Sequence, residues 1–148
     1  MNEETQAVMF SSTSEEWATP RALLEVVRQE YPIALDVCAT PENTACPAYF
    51  TKADNALRLP WTGCCWMNPP YGRGIGAWIA KAAQSAREGA TVVCLLPART
   101  DTKWWHAHCQ PILEEHGTKR VTFLAGRLHF NEAETGAPFP SVIVVFAP

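Results

Sequence analysis

The stretch Cys65-Trp66-Met67-Asn68-Pro69-Pro70-Tyr71 reads as a buried β-strand that runs into two consecutive prolines. Proline has no backbone N–H and holds the residue before it extended, so a sheet ladder stops at Pro69. The strand therefore delivers a stiff segment with one amide side chain, carbonyls free of ladder duty and an aromatic ring. Those groups suit a planar amine: acceptors take its hydrogens, and a π face stacks on the ring that bears it. Oxygens of Asn68 and Pro69 would accept from the amine and leave its lone pair aimed at an electrophile, while Tyr71 stacks on the base. The competing reading is an ordinary strand-to-turn junction, where Asn, Pro and Tyr are common.

Outward from this stretch the elements alternate. Thr19-Pro20 offers an N-cap with proline at the first helical position, and Leu23, Leu24, Val27 and Tyr31 share one helical face. Ile33 to Val37 reads as a short strand with Asp36 near its end. Residues 38–62 are punctuated by Pro, Asn and Thr and read as loop with at most short elements. Gly74 to Gly89 supports a helix with Ile75, Trp78, Ile79, Ala82 and Ala83 facing the core. Thr91 to Pro97 is a continuous apolar run, the pattern of a strand covered on both faces. Asp101 to His116 reads as helix, and Val121 to Ala125 and Ser141 to Ala147 as strands. This order predicts an α/β fold with a mostly parallel sheet and helices on both faces. Ligands in such sheets sit beyond the carboxyl ends of the strands, where both Asp36 and Asn68 lie.

The chain of 148 residues fits one ordinary domain, with 47% hydrophobic residues and six tryptophans for a packed core. Residues 1–16, polar and acidic, are expected to be a mobile tail, and 17–148 a single domain. The start, MNEETQAVMF, is acidic and polar, so no secretory signal is expected, and no apolar run approaches the ~20 residues that span a membrane. The six cysteines show no C-x-x-C pair and several sit in apolar runs, so buried reduced thiols and a cytoplasmic protein are expected. Net charge is −3, which by itself argues against a nucleic-acid binder. Its distribution answers this in part, because Glu3, Glu4, Glu15, Glu16, Glu25 and Glu30 crowd the first thirty residues. Arg99, Lys103, Lys119, Arg120 and Arg127 lie beyond them, either as ordinary solvated surface or as a basic footprint.

Individual residues keep two readings each. Asp36 either binds a ligand's ammonium or hydroxyl groups or caps the next helix, and Thr19 either meets a ligand carboxylate or caps its own. The glycines of Tyr71-Gly72-Arg73-Gly74-Ile75-Gly76 miss the dinucleotide fingerprint, leaving a flexible loop in which Arg73 could meet a phosphate. Histidines 106, 108, 116 and 129 lack metal-ligand spacing, and no metal is expected. There is no G-x-S-x-G, no Walker lysine loop and no Pro-Cys dipeptide of the kind that attacks cytosine, which narrows the chemistry to non-covalent transfer.

Taken in order, W-A-T-P (17–20), L-D-V-C-A-T (35–40) with Asn43, M-N-P-P-Y (67–71), L-L-P-A-R-T (95–100) with Trp104-Trp105, G-R-L-H-F (126–130) and P-S-V-I-V-V-F (140–146) form a set. This set resembles the phage-type DNA N6-adenine methyltransferases that use S-adenosylmethionine, from Trp17 to about Phe146. The resemblance implies an abbreviated Rossmann-like methyltransferase fold without a separate target-recognition domain. It implies methyl transfer to N6 of a flipped-out adenine in double-stranded DNA, in the host cytoplasm if the gene is phage-borne. Asn68, Pro69, Pro70 and Tyr71 would hold the adenine. Trp17, Thr19, Pro20, Asp36, Val37, Cys38, Ala39, Asn43, Asp54 and Asn68 would face the cofactor, and Arg73, Arg99, Lys103 and Arg127 the nucleic acid. N-P-P-Y alone also serves RNA and protein-amide methyltransferases, and an inert nucleic-acid-binding protein could retain the fold. The sequence departs from the family pattern twice. D-V-C-A-T-P-E-N lacks the glycines many methyltransferases carry there, and the span 38–64 is too short for two full β-α units, so the sheet is expected to be cut short on that side.

Overall fold

Thr19-Pro20 does open a helix, one residue later than its sequence suggests. In the computed structural model, which describes residues 17–148, α1 spans Arg21–Glu30, with Pro20 at the cap position and no side-chain cap bond. The ψ of 136° at Pro20 takes it out of the helical region. Leu24 and Val27 face the core, and Leu23 and Tyr31 pack half-buried beside them. The tail expected at 1–16 lies outside the described residues.

Strand β1 is only Leu35–Asp36, β2 is Cys64–Met67 and β3 is Thr91–Pro97. Between β2 and β3 runs α2, Ile75–Arg87, whose Ile75, Ile79, Ala82 and Ala86 are buried at helical spacing. After β3 the helix begins at residue 103, two residues later than expected, and opens as a π-helical turn over Trp105–Cys109 before continuing as α3, Gln110–His116. Strand β4 is Val121–Phe123 and β5 is Ser141–Phe146.

The sheet order is β1-β2-β3-β5-β4. Strands β1, β2 and β3 are mutually parallel, with Asp36 beside Trp66 and Met67 beside Cys94. β5 runs antiparallel to both β3 and β4, from Pro97 opposite Ser141 to Val92 opposite Phe146. The sheet is thus mixed, which corrects the mostly parallel expectation: four strands point one way and β5 the other. Only a short 3₁₀ turn, Phe130–Glu132, lies between β4 and β5, so the chain turns back on itself without the helical crossover that a parallel pairing needs. All six residues of β5 and six of the seven in β3 are buried, as central strands require.

The β1 side is irregular. Segment 48–50 runs along the outer edge of β1, where Asp36 N–H donates to Ala48 O (3.0 Å) and Phe50 N–H to Asp36 O (2.8 Å). Two short 3₁₀ turns follow, Lys52–Asp54 and Ala56–Arg58, joined by Asn55 at a left-handed φ of 54°. Trp66, Met67, Ile79, Leu95, Leu96 and Trp105 fill the centre of the core. Burial pushes the Cys65 and Cys109 thiols up to about 12, so both stay protonated and unreactive at neutral pH. Among the described residues no helix is long and apolar enough to cross a membrane, and no group of three His, Cys, Asp or Glu converges as a metal site.

Candidate functional site

Parallel pairing of β1 with β2 puts their carboxyl ends side by side, and Val37 N–H donates to Trp66 O (3.1 Å) just beyond the strand. Over these ends lies a cavity of about 580 Å³, a size that takes a small organic ligand. One wall is Asp36 to Pro41, another is Asn68 to Pro70, and Trp17, Ala18 and Thr19 close over them.

Asp36 is 3% exposed and builds the first wall. Its Oδ1 accepts from Cys38 N–H (3.1 Å) and its Oδ2 from Ala45 N–H (2.9 Å), so one carboxylate gathers both ends of the 37–45 loop. No helix follows for it to cap. Burial raises its pKa from 3.8 to about 6, against the opposing pull of those two N–H groups and of Arg28. Farther along, Asn43 Oδ1 accepts from Thr40 N–H (2.7 Å) and closes a turn on the rim.

The amide of Asn68 is held in one orientation. Its Nδ2 donates to the Trp17 carbonyl and to Thr19 Oγ1 (2.9 Å). A carbonyl only accepts, so the NH₂ end must face Trp17. Asn68 Oδ1 is consequently left buried with no hydrogen-bond partner among the described residues. A buried acceptor without a donor is costly and uncommon, and a donor supplied by a ligand would relieve it.

Tyr71 is placed differently from its neighbours. It does not line the cavity and is 5% exposed, with its hydroxyl donating to Leu95 O (3.1 Å). Trp17 lies near-parallel to its ring (6.5 Å between centroids, 24°), and Phe130 and Phe139 meet it edge-on.

Trp17, Thr19, Asp36, Val37, Cys38, Ala39, Asn43, Asn68, Pro69 and Pro70 therefore share the cavity, whereas Pro20, Asp54 and Tyr71 lie off it. Asp54 is engaged nearby, its Oδ2 accepting from Thr51 N–H (2.7 Å) and from the Thr51 hydroxyl (3.0 Å) in a capping box. The T-x-x-D spacing of 51–54 is the sequence signal for that role. Arg73, Arg99, Lys103 and Arg127 are exposed and outside the cavity. Arg99 lies 5.8 Å from the centre of the Phe139 ring, and Arg127 reaches Ala137 O at 3.5 Å.

Sequence reasoning did not anticipate the far wall, which comes from Thr51, Lys52, Asn55 and Trp78. Trp78 sits at a core-facing position of α2, but it is half-buried and stacks on Trp61 (6.0 Å, 28°) while presenting itself to the cavity. Helical periodicity cannot tell such a residue from a core residue.

Residues 6–146 match the family model described as DNA N-6-adenine-methyltransferase (Dam). The chain is 31% identical to the DNA N-6-adenine-methyltransferase of Haemophilus phage HP1 (strain HP1c1), over 97% of this chain and 85% of the relative. It is also 32% identical, over 42% of its length and 77% of the relative's, to the Escherichia coli (strain K12) protein named "Putative methyltransferase YfdM". With a match that runs through nearly its whole length, the chain belongs to the DNA N-6-adenine-methyltransferase family.

Proposed function

We propose that the chain methylates N6 of adenine in double-stranded DNA, with S-adenosylmethionine as donor, and that Asn68 holds the amine of a flipped-out base. One observation carries the assignment of the site: the NH₂ of Asn68 is spent on Trp17 and Thr19, so its buried Oδ1 is the acceptor in want of a donor. An exocyclic amine is such a donor.

The cavity fits the cofactor chemically. It is of suitable volume, is lined partly by apolar groups, and has a carboxylate at Asp36 whose burial favours a cationic companion. Bound S-adenosylmethionine supplies an electrophilic methyl group on a positively charged sulfur. Asp36 and the 37–39 backbone form the wall for its methionine part, Thr19 reaches its carboxylate, and Asn43 stands on the rim.

The protein's own contribution is orientation. Asn68 Oδ1 and the Pro69 carbonyl draw the two amine hydrogens into the plane of their oxygens, which leaves the nitrogen lone pair directed across the cavity. Two prolines stiffen the segment that carries these acceptors, so little freedom is lost when the base arrives. Extruding the adenine costs a few kcal/mol, which base contacts recover. Stacking on Tyr71 requires one of Trp17, Phe130 or Phe139 to yield, because the three cover its ring. Arg73, Arg99, Lys103 and Arg127 meet backbone phosphates. We read the fold as an abbreviated Rossmann-like domain whose target selection rests on short loops, 98–105 and 126–140 among them.

The test is mass spectrometry of nucleosides from adenine-unmethylated DNA incubated with the protein and S-adenosylmethionine, beside Asn68→Ala. N6-methyladenine formed by the unmutated protein alone is expected, with cofactor binding preserved in the variant. Equal product from Asn68→Ala would refute its role.

A further inference from the structure

The segment that orients Asn68 is itself held from near the other end of the chain. Ala18 N–H donates to Asn131 Oδ1 (3.0 Å), and Asn131 N–H returns to Ala18 O (2.9 Å). One step on, Arg21 N–H donates to Glu132 Oε1 (2.9 Å), which gives α1 the carboxylate cap that its own sequence lacks. Asn131 and Glu132 both adopt left-handed backbone, at φ 57° and 55°. Two adjacent side-chain-bearing residues in that region are strained, and such strain persists only where surrounding contacts impose it.

The rest of the 126–140 loop is built to present this pair. Ala137 N–H donates to Leu128 O (2.9 Å) and Ala133 N–H to Phe130 O (3.0 Å). Gly136 lies so close to Arg127 that an added Cβ would come within 2.8 Å of its Cβ. Phe130, directly before the pair, packs edge-on to the Trp17 ring (5.5 Å between centroids). The Trp17 ring, the Ala18 backbone and the Arg21 N–H are thus gripped in turn by three consecutive residues of one loop, Phe130, Asn131 and Glu132.

We propose that Asn131, supported by Glu132, is a positioning residue for the reaction: it fixes residues 17–19, whose carbonyl and hydroxyl in turn fix the Asn68 amide. This rests on the reading that Asn68 Oδ1 takes the amine. Asn131 touches neither base nor cofactor; it acts through Ala18 on the two acceptors that flank it in sequence. Without it, the Asn68 amide is free to rotate and present NH₂ where oxygen is needed.

Asn131→Gly keeps the left-handed backbone and removes only the side-chain acceptor, whereas Asn131→Asp keeps both. In the unliganded protein, the side-chain NH₂ resonances of Asn68, followed by ¹H–¹⁵N NMR, are expected to shift in Asn131→Gly and return in Asn131→Asp. In turnover, kcat should fall roughly ten- to hundredfold in Asn131→Gly, with KM for DNA little changed, and recover in Asn131→Asp. Unmoved Asn68 resonances in Asn131→Gly, or no rescue of kcat by Asn131→Asp, would overturn the proposal. Full activity in Asn131→Gly beside an inactive Asn68→Ala would sink this inference alone. A wild-type protein that makes no N6-methyladenine would instead remove the functional reading beneath it.

Discussion

Replacing Asp36 by asparagine tests the buried carboxylate directly. Its folded pKa of about 6 stands above the ordinary 3.8 because burial disfavours the charge. The native state therefore binds the proton more tightly than the unfolded chain does. Stability contributed by this group is full below pH 3.8 and is lost as pH rises through about 6. Linkage between those two pKa values gives about 2 kcal/mol lost between pH 4.5 and pH 7. Asparagine carries no such proton, so that dependence disappears in the variant. It also has one oxygen for two donors, and satisfying Cys38 N–H leaves Ala45 N–H facing an NH₂ group, or the reverse. That mismatch costs about 1–3 kcal/mol at any pH, offset near neutrality by relief of the buried charge. Urea unfolding of both proteins at pH 4.5 and pH 7 should find Asp36→Asn close to wild type at the higher pH. At the lower pH it should be about 2 kcal/mol worse than that. An equal difference at both pH values would show that burial does not hold the Asp36 proton in this range, and would refute the linkage.

The donor side and the DNA side of the proposal each give one further outcome. Affinity for S-adenosylmethionine, measured by titration calorimetry, should rise as pH increases through about 6, because Asp36 must be ionised to attract the cofactor's positive groups; a flat profile would take Asp36 away from those groups. Replacing Arg73, Arg99, Lys103 or Arg127 singly with alanine should flatten the slope of log DNA affinity against log salt by about 0.9 for each phosphate no longer neutralised, and an unchanged slope would remove that residue from the DNA surface.

Legibility in the sequence followed how far each feature depended on neighbours distant in the chain. The run Thr91–Pro97 was readable to the residue, since a strand buried on both faces is apolar throughout. The direction of β5 was not, because nothing within S-V-I-V-V-F says that it inserts between β3 and β4. β1 was expected from Ile33 but is two residues long, as its outer neighbour is the irregular segment 48–50 and not a full strand. Pro69 and Pro70 marked the end of β2 and the candidate site together, by a strictly local argument. Thr19 showed the limit of such arguments: its sequence reads as a helix cap, yet its hydroxyl accepts from Asn68, 49 residues away. Trp78 was hidden because facing a cavity and facing the core follow one periodicity, and the 51–56 wall because two short 3₁₀ turns carry no periodic pattern to read.

The two halves of the site consequently have different origins. The Asp36 wall is local: a single carboxylate and the loop from Cys38 to Ala45 close it within nine residues. The Asn68 half is assembled from distant chain, with bonds spanning 49 to 113 residues between Thr19, Asn68, Ala18 and Asn131. Contacts of such separation form only when most of the chain is in place, because their loop entropy must already have been met by other contacts. On the reading proposed above, the wall assigned to the cofactor would outlast the Asn68 half in a loosened molecule, since fewer of its bonds span the chain. On that reading, conditions or substitutions that loosen the 126–140 loop should weaken methyl transfer more than they weaken donor binding, of which the Asp36 wall would keep the larger share.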